Sequence, residues 1–244
     1  MTELSAADIQ ACRIDLAAAF RWAVRHGLNE GICNHFSMDV GGDRFLVNPW
    51  GWHWSELTAS SLLLADFDGK VLEGEGDIEP TAFYIHSRLH KACPQARVIL
   101  HTHMPYATAL TMCEGGRIEP CEQKAIRLAQ VTAYDDDYNG IALDNEEGDR
   151  MAAALGDKRI LFLASHGIIV THRSVAEAYD DLYYLERACQ VQVLARQSGL
   201  PLRKLPGQVV TRTQRQSSGD RASAPMHFAS LKRVLDREEP DYAA

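Results

Sequence analysis

The sequence predicts a single α/β domain, and three observations carry that prediction. Short apolar or alternating runs (FSMDV, RFLVNP, SLLLADF) are separated by Gly41-Gly42 and Pro49-Trp50-Gly51, as strands joined by turns are. Between and after them lie stretches whose apolar residues recur at helical spacing. Helices and hairpins alternate irregularly along 244 residues, with no visible linker and no internal repeat.

The elements follow in order. Ser5 with Asp8 resembles a capping box, and Ile9, Cys12, Leu16, Phe20 and Ala23 continue a helical stripe over residues 5 to 27, stopped by Gly27. Asp68-Gly69 between LLLADF and KVLEGE marks a two-residue hairpin, so residues 28 to 73 form antiparallel sheet. Pro80 and Thr81 open a helix carrying Phe83, His86, Leu89 and His90 on one face, and Pro94 closes it. Val98 to Leu100 is a buried strand. Short helices are expected over 107–112 and 122–131, TAYDDDY as a strand leading to a loop, and a helix over 146–155 stopped by Gly156. RILFLASHGIIVTH reads as two apolar runs hinged at His166-Gly167, with Gly167 supplying a backbone conformation other residues resist. Ser174 with Glu177 caps a helix reaching Gly199. Residues 201–223, rich in Arg, Gln, Ser and Gly, are expected as a loose extension ending in a short helix, PMHFASLKRVLD, that docks on the core or on a neighbouring subunit. The domain therefore spans 1–200, with 201–244 as a C-terminal extension.

Composition narrows the function classes. Hydrophobic residues make up 46% and charged residues 24%, and no run approaches the roughly 18 apolar residues of a membrane span. The net charge of −8, without a basic run, argues against nucleic acid or an anionic membrane as partner. The N-terminus MTELSAADIQ has no basic n-region, so a cytoplasmic protein is expected, with its six cysteines reduced and structural.

Chemistry concentrates in RVILHTHMPY. Strand side chains alternate, so His101 and His103 point one way and Thr102 the other. Two imidazoles aimed together can share a metal ion; they can equally be a hydrogen-bonded, half-buried pair. His166, at the end of a buried strand, needs a polar partner, and a metal would be one.

A helix carrying IH and LH, then ARVILHTH, an apolar strand ending in SHG, and a capped helix beginning SVAEAY together resemble the class II aldolase and adducin family over about residues 8 to 200. The resemblance implies a three-layer α/β/α fold with a central mixed or antiparallel sheet. It implies that His101, His103 and His166 hold one divalent ion per chain, commonly zinc, with manganese or iron as alternatives, in a tetramer whose sites lie near subunit interfaces. An open position on a three-histidine site accepts substrate oxygens.

Departures from the aldolase pattern restrict the reaction. Sugar-phosphate aldolases of the family carry Pro-Ser-Ser-Glu before the helix histidine; here Glu79-Pro80-Thr81-Ala82 places Ala82 where the acid/base carboxylate belongs. A shifted alignment brings in Glu79. The phosphate-contacting Gly-Asn-x-Ser loop corresponds to Asn34-His35-Phe36-Ser37, with His35 in the Asn position. The segment that supplies a neighbour's Tyr in the aldolases here carries Glu122 and Gln123. Candidate catalytic residues are thus Glu79, Glu122, His35 and His86, and candidate substrate contacts are Asn34, Ser37, Thr81 and Gln123.

The expectation is a metal-dependent carbon–carbon lyase, of decarboxylase or aldolase type, acting on a small non-phosphorylated hydroxy- or oxo-carboxylate through a metal-stabilised enolate. Competing readings are a non-enzymatic adducin-like assembly module and an iron-dependent oxygenase. Weaker signals are Trp50, Trp52, Trp54 and His53 as an aromatic wall or a loop plugging the sheet; His86 and His90 as substrate contacts or packing; and Asp135-Asp136-Asp137 as a solvated turn rather than a calcium loop. His26, His172 and His227 are expected on the surface, and Arg212, Arg215 and Arg221 as arms toward a neighbouring site.

Overall fold

The computed structural model describes residues 3–218 and 222–244. Helix α1 (Ala6–Arg25) begins where Ser5 Oγ accepts the Asp8 N–H, and its apolar stripe buries Leu16, Phe20 and Ala23 completely. Truncating a buried phenylalanine such as Phe20 costs about 3–5 kcal/mol. Strands β1 (His35–Gly41), β2 (Arg44–Val47), β3 (Leu63–Asp66) and β4 (Val71–Glu73) follow as an antiparallel meander. Then come α2 (Pro80–Ala92), β5 (Val98–Thr102), α3 (Pro105–Thr111), α4 (Gln123–Ala129), β6 (Thr132–Asp135), α5 (Asn145–Leu155), β7 (Ile160–Leu163), β8 (Gly167–His172) and α6 (Val175–Gln197).

The eight strands form one sheet in the order β4-β3-β2-β1-β5-β8-β7-β6. Among the described residues only the β6–β7 pair is parallel, so the sheet is mixed. Alternation sorts its residues into two layers. Phe36, Met38, Val98, Leu100, Ile168 and Val170 pack toward α1 and α6, whereas Ile99, Leu161 and Ile169 pack toward Leu89 of α2 and Met151 of α5. This is a three-layer α/β/α arrangement.

β1 is buried at all seven positions although His35, Ser37 and Asp39 alternate with its apolar residues. A polar strand face covered by α2 needs internal partners, because water cannot satisfy it. That buried polar face leads to the site.

Several expectations need correction. Residues 207–218 are not loose: they form helix α7 (Gly207–Ser218), with Val209 and Val210 half-buried, a stripe too thin to register in so polar a composition. Helix α8 (Ser223–Glu238) runs longer than its apolar core suggested and buries Phe228, Leu231 and Leu235 against this chain's own helices, where Trp22 Nε1 donates to Leu231 O. The hinge expected at His166-Gly167 is a turn: residues 164–166 join β7 to β8 as an antiparallel hairpin. His26, His172 and His227 are half-buried rather than exposed; His26 meets the Tyr179 hydroxyl at 2.9 Å, and His227 meets Asp180 at 3.0 Å. All six cysteines are free, but Cys33 and Cys113 are exposed rather than core residues. Asp135 is buried against Arg150 instead of solvated. Arg212 and Arg215 lie on α7, and Arg221 lies outside the described residues. No helix among the described residues is long and apolar enough to cross a membrane.

Candidate metal centre

β5 lies between β1 and β8, so a side chain at its end is flanked from both sides. His101 pairs across with His35 of β1 and with Ile169 of β8. His103 follows in the turn before α3. Buried Glu186 of α6 fixes that turn by accepting the Tyr106 and Ala107 N–H groups, each at 2.9 Å, a carboxylate at a helix N-terminus. Burial raises its pKa and these two donors pull it back.

His166 arrives through Ser165, whose φ of 54° is left-handed. That corrects the reading of Gly167, whose role is space rather than a special φ. A Cβ at Gly167 would lie 2.6 Å from His103 Cδ2 and 2.8 Å from Thr102 O. Only glycine lets the His103 ring pass so close.

The three imidazoles converge. Ring centroids lie 5.0 Å (His101–His103), 4.8 Å (His101–His166) and 5.0 Å (His103–His166) apart, and one nitrogen from each falls within 4.8 Å of the others. A carbonyl or carboxylate oxygen only accepts, so His101 Nδ1–H donates to Ile168 O at 3.0 Å and His103 Nδ1–H to Glu30 Oε2 at 2.5 Å. Each leaves Nε2 as a lone pair, and the buried His103 Nε2 has no partner. An outer acceptor orienting a ligand imidazole is what metal sites use. Burial first and neighbouring histidines second push His101 well below the ordinary histidine value, and burial with His103 pushes His166 down to about 4. Neutral rings are the form that binds metal. These residues therefore fit a divalent ion.

The triad opens on a cavity of about 490 Å³ lined also by Ile32, Asn34, His35, Trp50, Glu79, Thr81, Tyr138 and Ile141. Asn34, left-handed at φ 80°, accepts from Glu30 N and His103 N through Oδ1, while its buried Nδ2 has no partner. Glu79 is the N-cap of α2: its Oε2 accepts from Ala82 N at 2.8 Å and from the Thr81 hydroxyl. Ala82 is buried in α2.

Of the residues singled out in the sequence, His35, Asn34, Glu79 and Thr81 meet the triad at this cavity. His86 and Ser37 lie behind His35, fully buried and off the cavity wall. Glu122 and Gln123 do not join the site within the chain; Glu122 caps α4, and both line a separate groove with Arg127, Asp180 and Val209. The tryptophans divide: Trp54 packs in the core against Phe20 and Phe36, whereas Trp50 lines the cavity. Glu30, Tyr138 and Ile141 were not singled out. Glu30 sits in a loop 73 positions from His103, with no local pattern to mark it.

Comparison with known proteins agrees with this architecture. The family model described as the class II aldolase and adducin N-terminal domain matches residues 14–193. A Pseudomonas aeruginosa protein assigned by name to the class 2 aldolases is 34% identical over 247 residues, covering 98% of this chain and 94% of that protein. Decarboxylase NovR of Streptomyces niveus is 28% identical over 199 residues, 80% of this chain and 73% of its own. A crystal structure of an aldolase II superfamily protein from Pseudomonas syringae superposes with a TM-score of 0.92 at 33% identity, covering 99% of this chain and 98% of the other. By sequence and by fold, the chain belongs to the class II aldolase and adducin family.

Proposed function

We propose that this protein is a divalent-metal-dependent carbon–carbon lyase acting on a small, non-phosphorylated hydroxy- or oxo-carboxylate, with decarboxylation favoured over retro-aldol cleavage. The observation that carries the reading is three imidazoles, their ligand nitrogens within 4.8 Å of one another, at the wall of a cavity whose described lining holds no Lys or Arg. Phosphate recognition ordinarily calls on such cations. Ile32, Trp50 and Ile141 supply an apolar wall instead, suited to an alkyl or aromatic substituent.

His101, His103 and His166 would hold the ion, zinc first, with manganese or iron as alternatives. When bound, it supplies Lewis-acid polarisation of substrate oxygens while a carbon–carbon bond breaks. The protein's own groups orient the substrate: Asn34 Nδ2 is a donor awaiting an acceptor, and His35 and Thr81 face the same space. Retro-aldol cleavage requires a base for the substrate hydroxyl proton. A buried methyl group stands at the family's carboxylate position, and Glu79 is committed to capping α2. Losing carbon dioxide leaves the electron pair on carbon and needs no base at that step. The naming of a relative as a decarboxylase supports this choice.

The same reading assigns a homotetramer, in which the groove lined by Glu122 and Gln123 faces a neighbouring copy; light scattering returning a monomer would remove that part. The alanine at position 82 also favours a second reading, an adducin-like assembly module. Zinc-loaded protein offered hydroxy- and oxo-carboxylates beside sugar phosphates separates them. Carbon dioxide release from a carboxylate is expected. Turnover confined to a sugar phosphate overturns the substrate class, and metal binding without turnover of any compound favours the assembly reading.

A further inference from the structure

A continuous chain of polar contacts runs from the cavity into the interior. Ala96 O faces His90 Nδ1 at 2.7 Å, and His90 Nε2 faces Ser37 Oγ at 2.7 Å. Ser37 Oγ also contacts His86 Nδ1, and His86 Nε2 lies 2.6 Å from His35 Nδ1. His35 Nε2 then approaches Thr81 Oγ1 at 3.4 Å, and the Thr81 hydroxyl meets Glu79 Oε2.

Both ends of this chain only accept: Ala96 offers a carbonyl and Glu79 a carboxylate. The members between them, His90, Ser37, His86, His35 and Thr81, carry one mobile proton each when the rings are neutral. Five protons must serve six links, so one link stays empty. His35, His86 and His90 are all buried, and Glu79 lies 4.0 Å from His35, beyond a hydrogen bond. Charging a ring here to fill the gap would bury an ion; Asp39 favours the charged form of His90, but desolvation outweighs it. The empty link should be the one whose loss costs least, and the 3.4 Å contact between His35 and Thr81 is the longest of the six.

Placing the gap there fixes every other proton. His90 Nδ1–H donates to Ala96 O, leaving Nε2 to accept from Ser37 O–H. Ser37 then accepts from His86 Nδ1–H, and His86 Nε2 accepts from His35 Nδ1–H. At the other end, Thr81 O–H is spent on Glu79. We propose that this polarised chain holds His35 as the Nδ1–H tautomer and presents its Nε2 lone pair to the cavity, as the acceptor for a substrate O–H beside the metal triad.

His86, Ser37 and His90 are then positioning residues, acting through His35. The assignment of protons stands on hydrogen-bond partners alone; its use toward substrate rests on the lyase reading above.

Neutron diffraction from deuterated crystals of the zinc-loaded protein reads the protons directly. Deuterium is expected on Nδ1 of His35, His86 and His90, with none on His35 Nε2; a deuteron on His35 Nε2 overturns the proposal, whether or not Nδ1 also carries one. In Ser37→Ala, His86 and His35 should lose their fixed Nδ1 deuterons while His90 keeps its own. Thr81→Val, at the cavity end, should leave all three unchanged, and a Thr81→Val variant that flips His35 instead overturns the direction of polarisation. Thr81 is only partly buried, so this variant answers the question even if Ser37→Ala fails to fold. Expected deuterons in a protein that binds no zinc would sink the lyase reading alone; zinc binding and turnover with a deuteron on His35 Nε2 would sink the tautomer assignment alone.

Discussion

Two histidine clusters lie against each other in this molecule, and they use the same side chain in opposite ways. In the triad, the outer nitrogens of His101 and His103 are donated to Ile168 O and Glu30, and the inner nitrogens converge, with His103 Nε2 unpartnered. In the neighbouring chain, His86 and His90 have both nitrogens consumed by protein partners. The two clusters touch where His35 stacks on His101, their ring centroids 4.8 Å apart. Burial does not distinguish them, since His101 and His86 are both almost wholly enclosed. What sets the triad apart from His86 and His90 is an inward nitrogen, His103 Nε2, left without a protein partner.

The sharpest way to break this distinction is to remove a triad ring. His103→Ala or His166→Ala should reduce bound metal from about one ion per chain to near zero by elemental analysis, because two remaining imidazoles do not make a closed site. Metal content unchanged in both variants would dissolve the difference between the clusters. Next in size is the outer support. Glu30→Gln keeps the shape but removes the carboxylate charge behind His103, and metal affinity measured by competition with a chelator should fall about 10–100-fold.

The second cluster should reveal itself through pH rather than metal. Burial pushes His90 down to about 4 from an ordinary 6.5, although its bond to Ala96 O opposes the shift. Between those values the unfolded chain binds a proton that the folded chain refuses, so this contribution is intact above pH 6.5 and is lost as pH falls toward 4. Urea unfolding of metal-free protein should show stability dropping by up to about 1.4 kcal/mol per pH unit from His90 alone. His86, which burial also lowers, adds to the slope in the same direction, as do His101 and His166 while no metal is bound. A flat profile between pH 6.5 and 4.5 would show that these rings are not held neutral. The smallest effect is expected for Ser37→Ala, which cuts the chain without touching a ligand. Its metal content should match the parent protein within error, and loss of metal would mean that the two clusters are one unit.

Legibility in the sequence followed the range of the interactions. The period-two pattern of RVILHTH placed His101 and His103 on one face, and the capping signals at Ser5, Pro80 and Ser174 located three helices to within a residue or two. His166 needed a family resemblance, because nothing local ties SHG to a strand beginning at Val98. Glu30 and the His35–His86 contact stayed hidden for the same reason: their partners are 73 and 51 positions away. Helix α7 escaped because its apolar stripe is two half-buried valines in a polar background. Gly167 was noticed, but for the wrong reason: a backbone torsion is a local property, whereas the approach of the His103 ring depends on how β8 lies against the end of β5.

The separation between Glu30, His103 and His166 also carries an expectation for folding. These groups meet across β1, β5 and β8, so a metal ion is expected to find its nest late, on a chain already close to native. Binding of that kind stabilises the native state more than the folding transition state, and its energy then appears mainly as slower unfolding. An ion held there would act as a latch on a door that has already swung shut. Refolding rates should be nearly the same with and without metal, and the lifetime of the folded chain should lengthen when the triad is filled.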